Sequence, residues 1–369
     1  MKHRLSMTLS ASFRARQARR ILLILLVAAA PAAASDVTTK FETVKVADGI
    51  YAFIAPEPKS GIVNSNCVAI IGDDSVIVVD TGQIPSLTRR MVAEIKAQTD
   101  KPVRYVINTH WHWDHNLANF VYRDAFPGVS IISTGFTRRS LIEFTPGLLN
   151  FFQNSAEKLL DNLRKQRDQA KTETERANLL DDIDDFESGL PEVRQAKLVA
   201  PDQTFENAIT LYLGKREVRI FHPGLANTAG DAVVYVPDAR VLITGDIVVA
   251  PTPYATSSYF TDWIAVLKKL SSMDVAAIIP GHGAVQYDRS YISALTALLE
   301  SLVAQVGAAV RRGLSLEETQ KLVDLESFRK RFAGDDRRRN RAFTEYFLKP
   351  AIKTAWKQAR GEKTTESPF

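Results

Sequence analysis

The chain has 369 residues, 45% of them hydrophobic and 24% charged, and a formal net charge of +5. These values are typical of a soluble globular protein. Six basic residues and no acid lie in residues 1–34, so the rest of the chain is close to neutral (about −1) and offers no basic surface for nucleic acid.

The first 34 residues have the parts of a secretory signal. Basic residues up to position 20 precede an apolar run over 21–27, and three alanines at 32–34 offer a cleavage site before Ser35. The run is short for a transmembrane helix. We therefore predict export, to the periplasm, with an uncleaved N-terminal membrane anchor as the alternative.

Hydrophobic periodicity predicts alternating strands and helices in two halves of the chain. The first half contains a predicted hairpin over 41–55, strands over 64–71, 75–80, 103–107 and 129–132, and a helix over 86–97. The second half contains predicted strands over 209–213, 218–221, 232–237, 241–244 and 276–279, and a helix over 263–270.

Residues 137–197 between these halves are highly charged and lack strand patterns. Apolar residues at helical spacing, such as Leu159 with Leu163 and Leu179 with Ile183, predict a hairpin of helices inserted over one side of the domain. Its many charges predict that the insertion exposes a face to solvent. The alternative is that the insertion covers a substrate as a lid. The chain from 291 is predicted to be helical, with a frayed tail from Gly361.

Histidines and aspartates lie at the ends of predicted strands or in the loops that follow. They are His110, His112, His115, His222 and His282, with Asp80, Asp114 and Asp246. Neutral imidazole and carboxylate are ligands of zinc and neighbouring divalent metals. Side chains at successive strand ends can converge on one point, so the sequence predicts a metal site there.

Four ordered motifs resemble the metallo-β-lactamase superfamily. They are Asp80-Thr81-Gly82, the His-x-His-x-Asp-His run over 110–115, Gly245-Asp246, and Pro280-Gly281-His282-Gly283. The resemblance covers roughly 49–283 without the insertion, and it implies an α/β fold, the αββα sandwich of two mixed sheets between helices. Together with the signal-like composition of 1–34 and the helical pattern from 291, it predicts three parts: a signal peptide over 1–34, a metallo-β-lactamase-like domain over 35–290 and a C-terminal helical extension over 291–369.

The resemblance also implies a role for each motif residue. His110 and His112, with a third histidine, would bind one metal; Asp114, His115 and His282 would bind a second. Asp246 would bridge the two, and Asp80 would orient a ligand histidine. The implied cofactor is Zn²⁺, as one or two ions, with another divalent metal as an alternative.

The third histidine of the first site is replaced in this chain. Asn227 stands just before Thr228, where the family carries that histidine. An amide oxygen is a weaker ligand than imidazole. Three alternatives follow: Asn227 binds and gives a weaker first site, which we favour; His222 at the mouth of the same loop substitutes for it, rather than serving as a polar support; or the second site alone carries the chemistry.

The implied activity is hydrolysis, in which a metal-activated water attacks a carbonyl while Asp114 orients it and passes a proton to the leaving group. The substrate, a small molecule, stays open among β-lactam, lactone, ester and thioester. Many β-lactamases of the family carry another residue at the position of Asp246, and no lysine for a drug carboxylate can be placed after it.

Four aromatic residues near the motifs are predicted to line the substrate cleft: Trp111, Trp113, Tyr254 and Tyr259. A metal- or ligand-binding protein of the same fold without turnover is the alternative function. The sequence gives no indication of an oligomeric state.

Overall fold

Two β-sheets pack face to face in the computed structural model, which describes residues 40–60, 63–256 and 258–366. The first sheet has seven strands in chain order: β1 (Glu42–Ala47), β2 (Ile50–Ile54), β3 (Cys67–Ile71), β4 (Val76–Val79), β5 (Val103–Ile107), β6 (Ser130–Thr134) and β7 (Gln203–Phe205). Strands β1 to β4 pair antiparallel, and β4 to β7 pair parallel.

The second sheet has five strands, in the order β12-β11-β10-β9-β8. They are β8 (Ala208–Leu213), β9 (Arg216–Phe221), β10 (Val233–Val236), β11 (Val241–Val249) and β12 (Ala277–His282). Only the pair β11–β12 in this sheet is parallel. The short strand β7 was not predicted, and β11 continues past its predicted end at 244 through Gly245 and Asp246 to Val249.

Helices cover the outer face of each sheet. They are α1 (Pro85–Gln98), α2 (Asn119–Ala125), α3 (Gly135–Asn154), α4 (Ala156–Gln169), α5 (Glu173–Val193), α6 (Phe260–Ser271), α7 (Ser290–Arg311), α8 (Leu316–Leu322), α9 (Glu326–Ala333), α10 (Arg337–Ala342) and α11 (Lys349–Ala359). A π-helical turn, Phe343–Leu348, joins α10 to α11. The predicted α/β class and its αββα layering are confirmed.

Strand alternation explains why there are three hydrophobic cores. In β4, Val76 and Val78 pack outward against α1, whereas Ile77 and Val79 pack between the sheets. Successive side chains of a strand point to opposite faces, so a strand that is apolar at every position must be covered on both sides. The layer of helices on each face follows from that requirement.

The helical insertion has three helices, α3, α4 and α5, where two were predicted. Several of its charged side chains form ion pairs with other parts of the protein and do not face solvent only. Asp181 and Asp182 on α5 pair with Arg338 and Arg341 of the C-terminal extension, at 2.8 and 2.7 Å. The insertion and the extension are therefore joined by ion pairs across one side of the sandwich.

The C-terminal extension shares a hydrophobic core with the second sheet and α6. Of the helices described, α7 alone is long and apolar enough to cross a membrane, but its residues Ile292, Leu295, Leu298 and Leu302 are buried in that core. We interpret it as a core helix. The predicted signal segment, 1–34, lies outside the described residues.

Asp185 on α5 provides a test of how the insertion is packed. Burial raises the pKa of its carboxyl to about 6, against a hydrogen bond that it accepts from Ser60. The Asp185 carboxyl therefore binds its proton more tightly in the folded state than in the unfolded chain. Its contribution to the free energy of unfolding is fully present below about pH 4 and is lost as the pH rises through 6.

We expect Asp185→Asn to increase the free energy of unfolding at pH 7 by on the order of 1–2 kcal/mol, because it removes a buried charge. The gain should shrink as the pH falls from about 6 to about 4. Denaturant unfolding of both proteins across pH 4–7.5 measures this difference. A difference that does not change with pH would contradict the raised pKa.

Candidate metal centre

The His-x-His-x-Asp-His run begins just after β5, at the edge where the strands of both sheets end. A 3₁₀ turn, Trp113–His115, follows His112, whose backbone is still extended. The extended part carries His110 and His112, and the turn brings Asp114 and His115 back toward them. The chain therefore bends directly after His112.

His110 and His112 form one half of the centre. Their Nε2 and Nδ1 atoms lie 2.9 Å apart. Oδ2 of Asp246, from β11, lies 3.6 Å from His110 Nε2 and 3.9 Å from His112 Nδ1. Two imidazole nitrogens and a carboxylate oxygen therefore face one space.

Asp114, His115 and His282 form the other half. Oδ2 of Asp114 lies 3.0 Å from His282 Nε2 and 3.4 Å from His115 Nε2. The second oxygen of Asp246, Oδ1, lies 3.1 Å from His115 Nε2 and 3.5 Å from His282 Nε2. Asp246 thus contacts both halves, one with each oxygen, as expected of a bridging carboxylate.

The residues present fit divalent cations. Two groups, His110 with His115 and Asp246, and Asp114 with His115 and His282, have ligand atoms within 4.8 Å of one another. His115 Nε2 and Asp246 Oδ1 are buried and 3.1 Å apart, but neither is aligned for a hydrogen bond with the other or with any other described group. Buried polar atoms without partners are costly, and a bound cation would remove that cost.

The ionisation of His110 and of Asp114 favours the same conclusion. Burial, with the nearby His115 and His112 rings, lowers the pKa of His110 to about 3, so its imidazole is neutral near pH 7. Burial alone would raise the pKa of Asp114, but the charges of His115 and His282 outweigh it and lower that pKa to about 2. A neutral imidazole and an ionised carboxylate are the forms that bind a metal.

Asp80 sets the orientation of two histidines. Its Oδ2 accepts a hydrogen bond from His115 Nδ1 at 2.7 Å and from the Thr109 hydroxyl at 2.7 Å. Because that hydroxyl donates to Asp80, its oxygen is left to accept from His110 Nδ1, 3.0 Å away. Both histidines therefore direct Nε2 at the centre, and a cation bound there would require that nitrogen in its unprotonated form.

The backbone around these residues is specialised. Asp80 has a φ of 57°, an uncommon value for a residue other than glycine, and this turns the chain at the end of β4. Gly281 lies beside Asp246, and a Cβ at Gly281 would collide with Asp246 Oδ1. The Pro280-Gly281-His282 motif therefore needs glycine for steric reasons.

Replacing Asp80 by asparagine is expected to weaken metal binding by about 10–100-fold. An amide has one acceptor oxygen and no charge, so it cannot accept both from the Thr109 N–H and from His115 with the Thr109 hydroxyl. Competition with a chromophoric chelator measures the affinities. Asp74→Asn, in the exposed turn before the same strand, is the matched control. Equal affinities in the Asp80 variant and the parent would contradict this role.

Asn227 is buried in the loop after β9, with 2% of its surface exposed. Its Oδ1 accepts a hydrogen bond from the Ser258 hydroxyl at 3.1 Å, and its Nδ2 has no hydrogen-bond partner in the part of the chain that the structure describes. Rotation of the amide by 180° would let Nδ2 donate to Ser258 Oγ and free the oxygen as a ligand. Asn227 as a metal ligand stays a prediction.

His222 lies apart from both groups. Its Nδ1 is 2.7 Å from the backbone oxygen of Asp231, to which it donates, and its backbone N–H donates to Asn207. The Asp231 carboxylate in turn accepts hydrogen bonds from the backbone and hydroxyl of Thr228. His222 therefore supports the loop of Asn227, and the structure does not bring it to His110 and His112.

A cavity of about 600 Å³ opens beside the centre, and His112, Asp114, Asp246 and His282 line it. Three of the four predicted substrate residues, Trp111, Trp113 and Tyr254, also line the cavity. Tyr259 is not among its lining residues, and its hydroxyl instead forms a hydrogen bond with Glu366.

Two features of the site were missed from the sequence. The insertion contributes apolar cavity walls: Leu148, Phe151, Phe152 and Phe186. The sequence places all four in the predicted helical insertion, but nothing in its pattern shows that they face a cavity. The tail was predicted to be frayed, but Glu366 accepts hydrogen bonds from Trp111 and from the backbone of Ala229. No sequence signal indicates that contact.

Comparisons with known proteins agree with this geometry. A family profile described as the metallo-β-lactamase superfamily matches residues 60–282. A linear primary-alkylsulfatase from Pseudomonas sp. is 26% identical over 275 residues, which are 68% of this chain and 48% of that protein. The chain thus spans about half the length of this curated relative.

Solved structures show the same fold. A metallo-β-lactamase from Pontibacter korlensis has a TM-score of 0.51 and 20% identity, and the match covers 71% of this chain and 99% of that one. A double mutant of the sec-alkyl sulfatase PisA1 has a TM-score of 0.60 and 16% identity, covering 89% of this chain and 52% of that one. Since the family match spans more than half of the chain and the family's layering is present, the protein belongs to the metallo-β-lactamase superfamily.

Proposed function

We propose that the protein is a zinc-dependent hydrolase that cleaves a carboxylic ester, lactone, thioester or β-lactam bond in a small molecule with an apolar body. Family membership supports a metal-dependent hydrolase in general terms. The main support for a substrate with an apolar body is one observation. The proposed metal-binding groups lie at one wall of a cavity whose other walls are largely apolar.

The chain's own residues have distinct parts in this proposal. A divalent metal in such a site supplies a nucleophile at neutral pH and polarises the bond to be cleaved. Asp246 holds the two groups of ligands together, and Asp80 keeps His115 in the tautomer that binds. Asp114 faces the cavity as an ionised carboxylate, so it can orient the nucleophile and carry a proton to the leaving group.

The charges around the cavity favour an apolar substrate body. Each basic residue that lines it among the described residues has an acidic partner: Lys59 with Asp184, Arg338 with Asp181, Arg339 with Glu57, and Arg341 with Asp182. Paired cations contribute little attraction for a second anion. Aromatic and aliphatic walls remain to bind the substrate by burial of apolar surface.

A carboxylic ester, lactone, thioester or β-lactam fits the proposal, because each offers a carbonyl carbon to the nucleophile. A sulfate ester with an apolar chain is the second candidate. Its support is the similarity to a protein named linear primary-alkylsulfatase and to the sec-alkyl sulfatase structure. In that reaction the sulfate group, rather than a carbonyl, would lie at the metals.

We also propose that the protein acts outside the cytoplasm. The support is the signal-like composition of residues 1–34, with a basic start, a short apolar run and small residues before Ser35. N-terminal sequencing of the protein from a cell fraction enriched in periplasm tests this. A chain that retains residues 1–34 in the membrane fraction would indicate an anchor instead.

A substrate panel with metal control tests the proposed activity. Purified protein, loaded with Zn²⁺, is assayed on short- and long-chain esters, lactones, thioesters, a β-lactam and primary and secondary alkyl sulfates. We expect turnover that increases with the apolar chain and stops on chelation. A protein that retains metal but turns over none of these would instead favour the binding protein without turnover.

A further inference from the structure

A carboxylate from the C-terminal tail lies next to the ligand loops of the first metal site. Glu366 Oε2 accepts a hydrogen bond from Trp111 Nε1 at 2.5 Å, and Oε1 accepts one from the backbone N–H of Ala229 at 2.5 Å. The hydroxyl of Tyr259 is its third partner. Three donors on three separate segments therefore converge on one side chain.

Each of these segments carries a part of the first site. Trp111 stands between His110 and His112, so fixing its indole restrains the backbone between two ligands. Ala229 lies two residues after Asn227, the residue at the third ligand position.

The third segment reaches Asn227 as well. Tyr259 follows Ser258, whose hydroxyl donates to Asn227 Oδ1. The backbone N–H of Tyr259 itself donates to the backbone oxygen of Ala226. Glu366 thus connects the segments of all three ligand positions without belonging to any of them.

The tail is held in place for this contact. Gln358 Nε2, on α11, donates to the Thr364 hydroxyl at 2.7 Å and to the backbone oxygen of Ser258 at 2.8 Å. The Thr354 hydroxyl donates to the backbone oxygen of Thr256 at 2.9 Å. The tail up to Thr364 therefore lies along the segment that carries Ser258 and Tyr259, and Glu366 follows two residues later.

The charge of Glu366 also suits this location. The first site offers two imidazoles and an amide, none of which brings a negative charge, and its carboxylate, Asp246, is shared with the second site. A carboxylate held beside this site by Trp111 and Ala229 adds to the negative potential that attracts a divalent cation. Glu366 does not line the cavity, so it does not compete with substrate.

We propose that Glu366 is a positioning residue for the first metal site, which holds the loops of His110, His112 and Asn227 together so that a site with one weak ligand still binds its metal. The proposal rests on the metal centre of the proposed function. It assigns to the C-terminal tail a contribution to metal binding that its irregular structure does not suggest.

Metal titration of the parent and of Glu366→Gln, Glu366→Ala and Glu366→Asp tests this inference. Zn²⁺ affinity is measured by competition with a chromophoric chelator, and Co²⁺ absorption reports the geometry of each site. Glu362→Gln, an exposed carboxylate on the same tail that pairs with Arg360, is the matched control. Thermal unfolding of every variant without metal accompanies the titrations.

We expect two binding steps in the parent. Glu366→Gln and Glu366→Ala should lower the Zn²⁺ affinity of the first site by at least about 10-fold. The affinity of the second site, formed by Asp114, His115 and His282, should not change. Glu366→Asp should recover part of the loss, and Glu362→Gln should match the parent.

Three outcomes would overturn the inference: unchanged two-step binding in the Glu366 variants, equal weakening of both steps with a lower unfolding midpoint, or a parent that binds one ion only. A parent that binds one ion only would still be compatible with the proposed function, as a hydrolase that uses a single metal. Conversely, Glu366-dependent binding in a protein that hydrolyses no substrate of the panel would end the proposed function and leave this inference standing.

Discussion

Replacing Asp246 by asparagine is expected to abolish hydrolysis, with kcat/KM lower by at least about 10³-fold, equivalent to about 4 kcal/mol of transition-state stabilisation. One Asp246 oxygen faces His110 and His112, and the other faces His115 and His282. An amide has one oxygen and no charge, so it cannot serve both groups. We therefore expect both metals to bind more weakly, rather than one alone.

Metal content after dialysis and steady-state kinetics on the best substrate of the panel measure these losses. Asp262→Asn, an exposed residue in the first turn of α6, is the control for the chemical change and should behave like the parent. If the Asp246 variant kept two tightly bound ions, Asp246 would not be the bridging carboxylate.

Replacing Asn227 by histidine is expected to strengthen first-site metal binding by on the order of 10-fold or more, because imidazole is a better ligand for zinc than an amide oxygen. The larger ring must fit a position with 2% exposure, next to the Ser258 hydroxyl. We therefore expect some loss of stability, of about 1–3 kcal/mol, alongside the gain in affinity.

Asn227→Ala completes this test, since it removes the side chain without introducing a new ligand. If Asn227 binds metal, the alanine variant should fall below the parent in first-site affinity, and the histidine variant should rise above it. If all three proteins bind the first metal equally, the amide is not a ligand. The site would then rely on His110, His112 and Asp246.

The sequence predicted that these side chains would meet, because the proposed ligands are attached to regular elements. His110 to His115 follow β5, Asp246 lies in β11 and His282 ends β12, so strand order alone brings them to one edge. The motif spacing identified the family, and the family implied the layering. The shared carboxylate of Asp246 and the hydrogen bond from His115 to Asp80 follow the implied pattern.

What could not be predicted depends on contacts between residues far apart in the chain. The walls of the cavity come from the insertion and the C-terminal extension, whose relative position is set by pairs such as Asp181 with Arg338. Charge runs in a sequence do not reveal their partners. Glu366 is the clearest case, because a single acid in an irregular tail has no pattern that connects it to Trp111, 255 residues away.

The most direct test of the account is the dependence of hydrolysis on metal at a measured stoichiometry. The purified protein is stripped with a chelator, assayed on the substrate panel, and titrated with Zn²⁺ while metal content and rate are followed together. We predict that the stripped protein is inactive and that activity returns as up to two ions bind per chain. Turnover that survives complete removal of metal, or a folded protein that takes up no ion, would contradict a metal-dependent hydrolase.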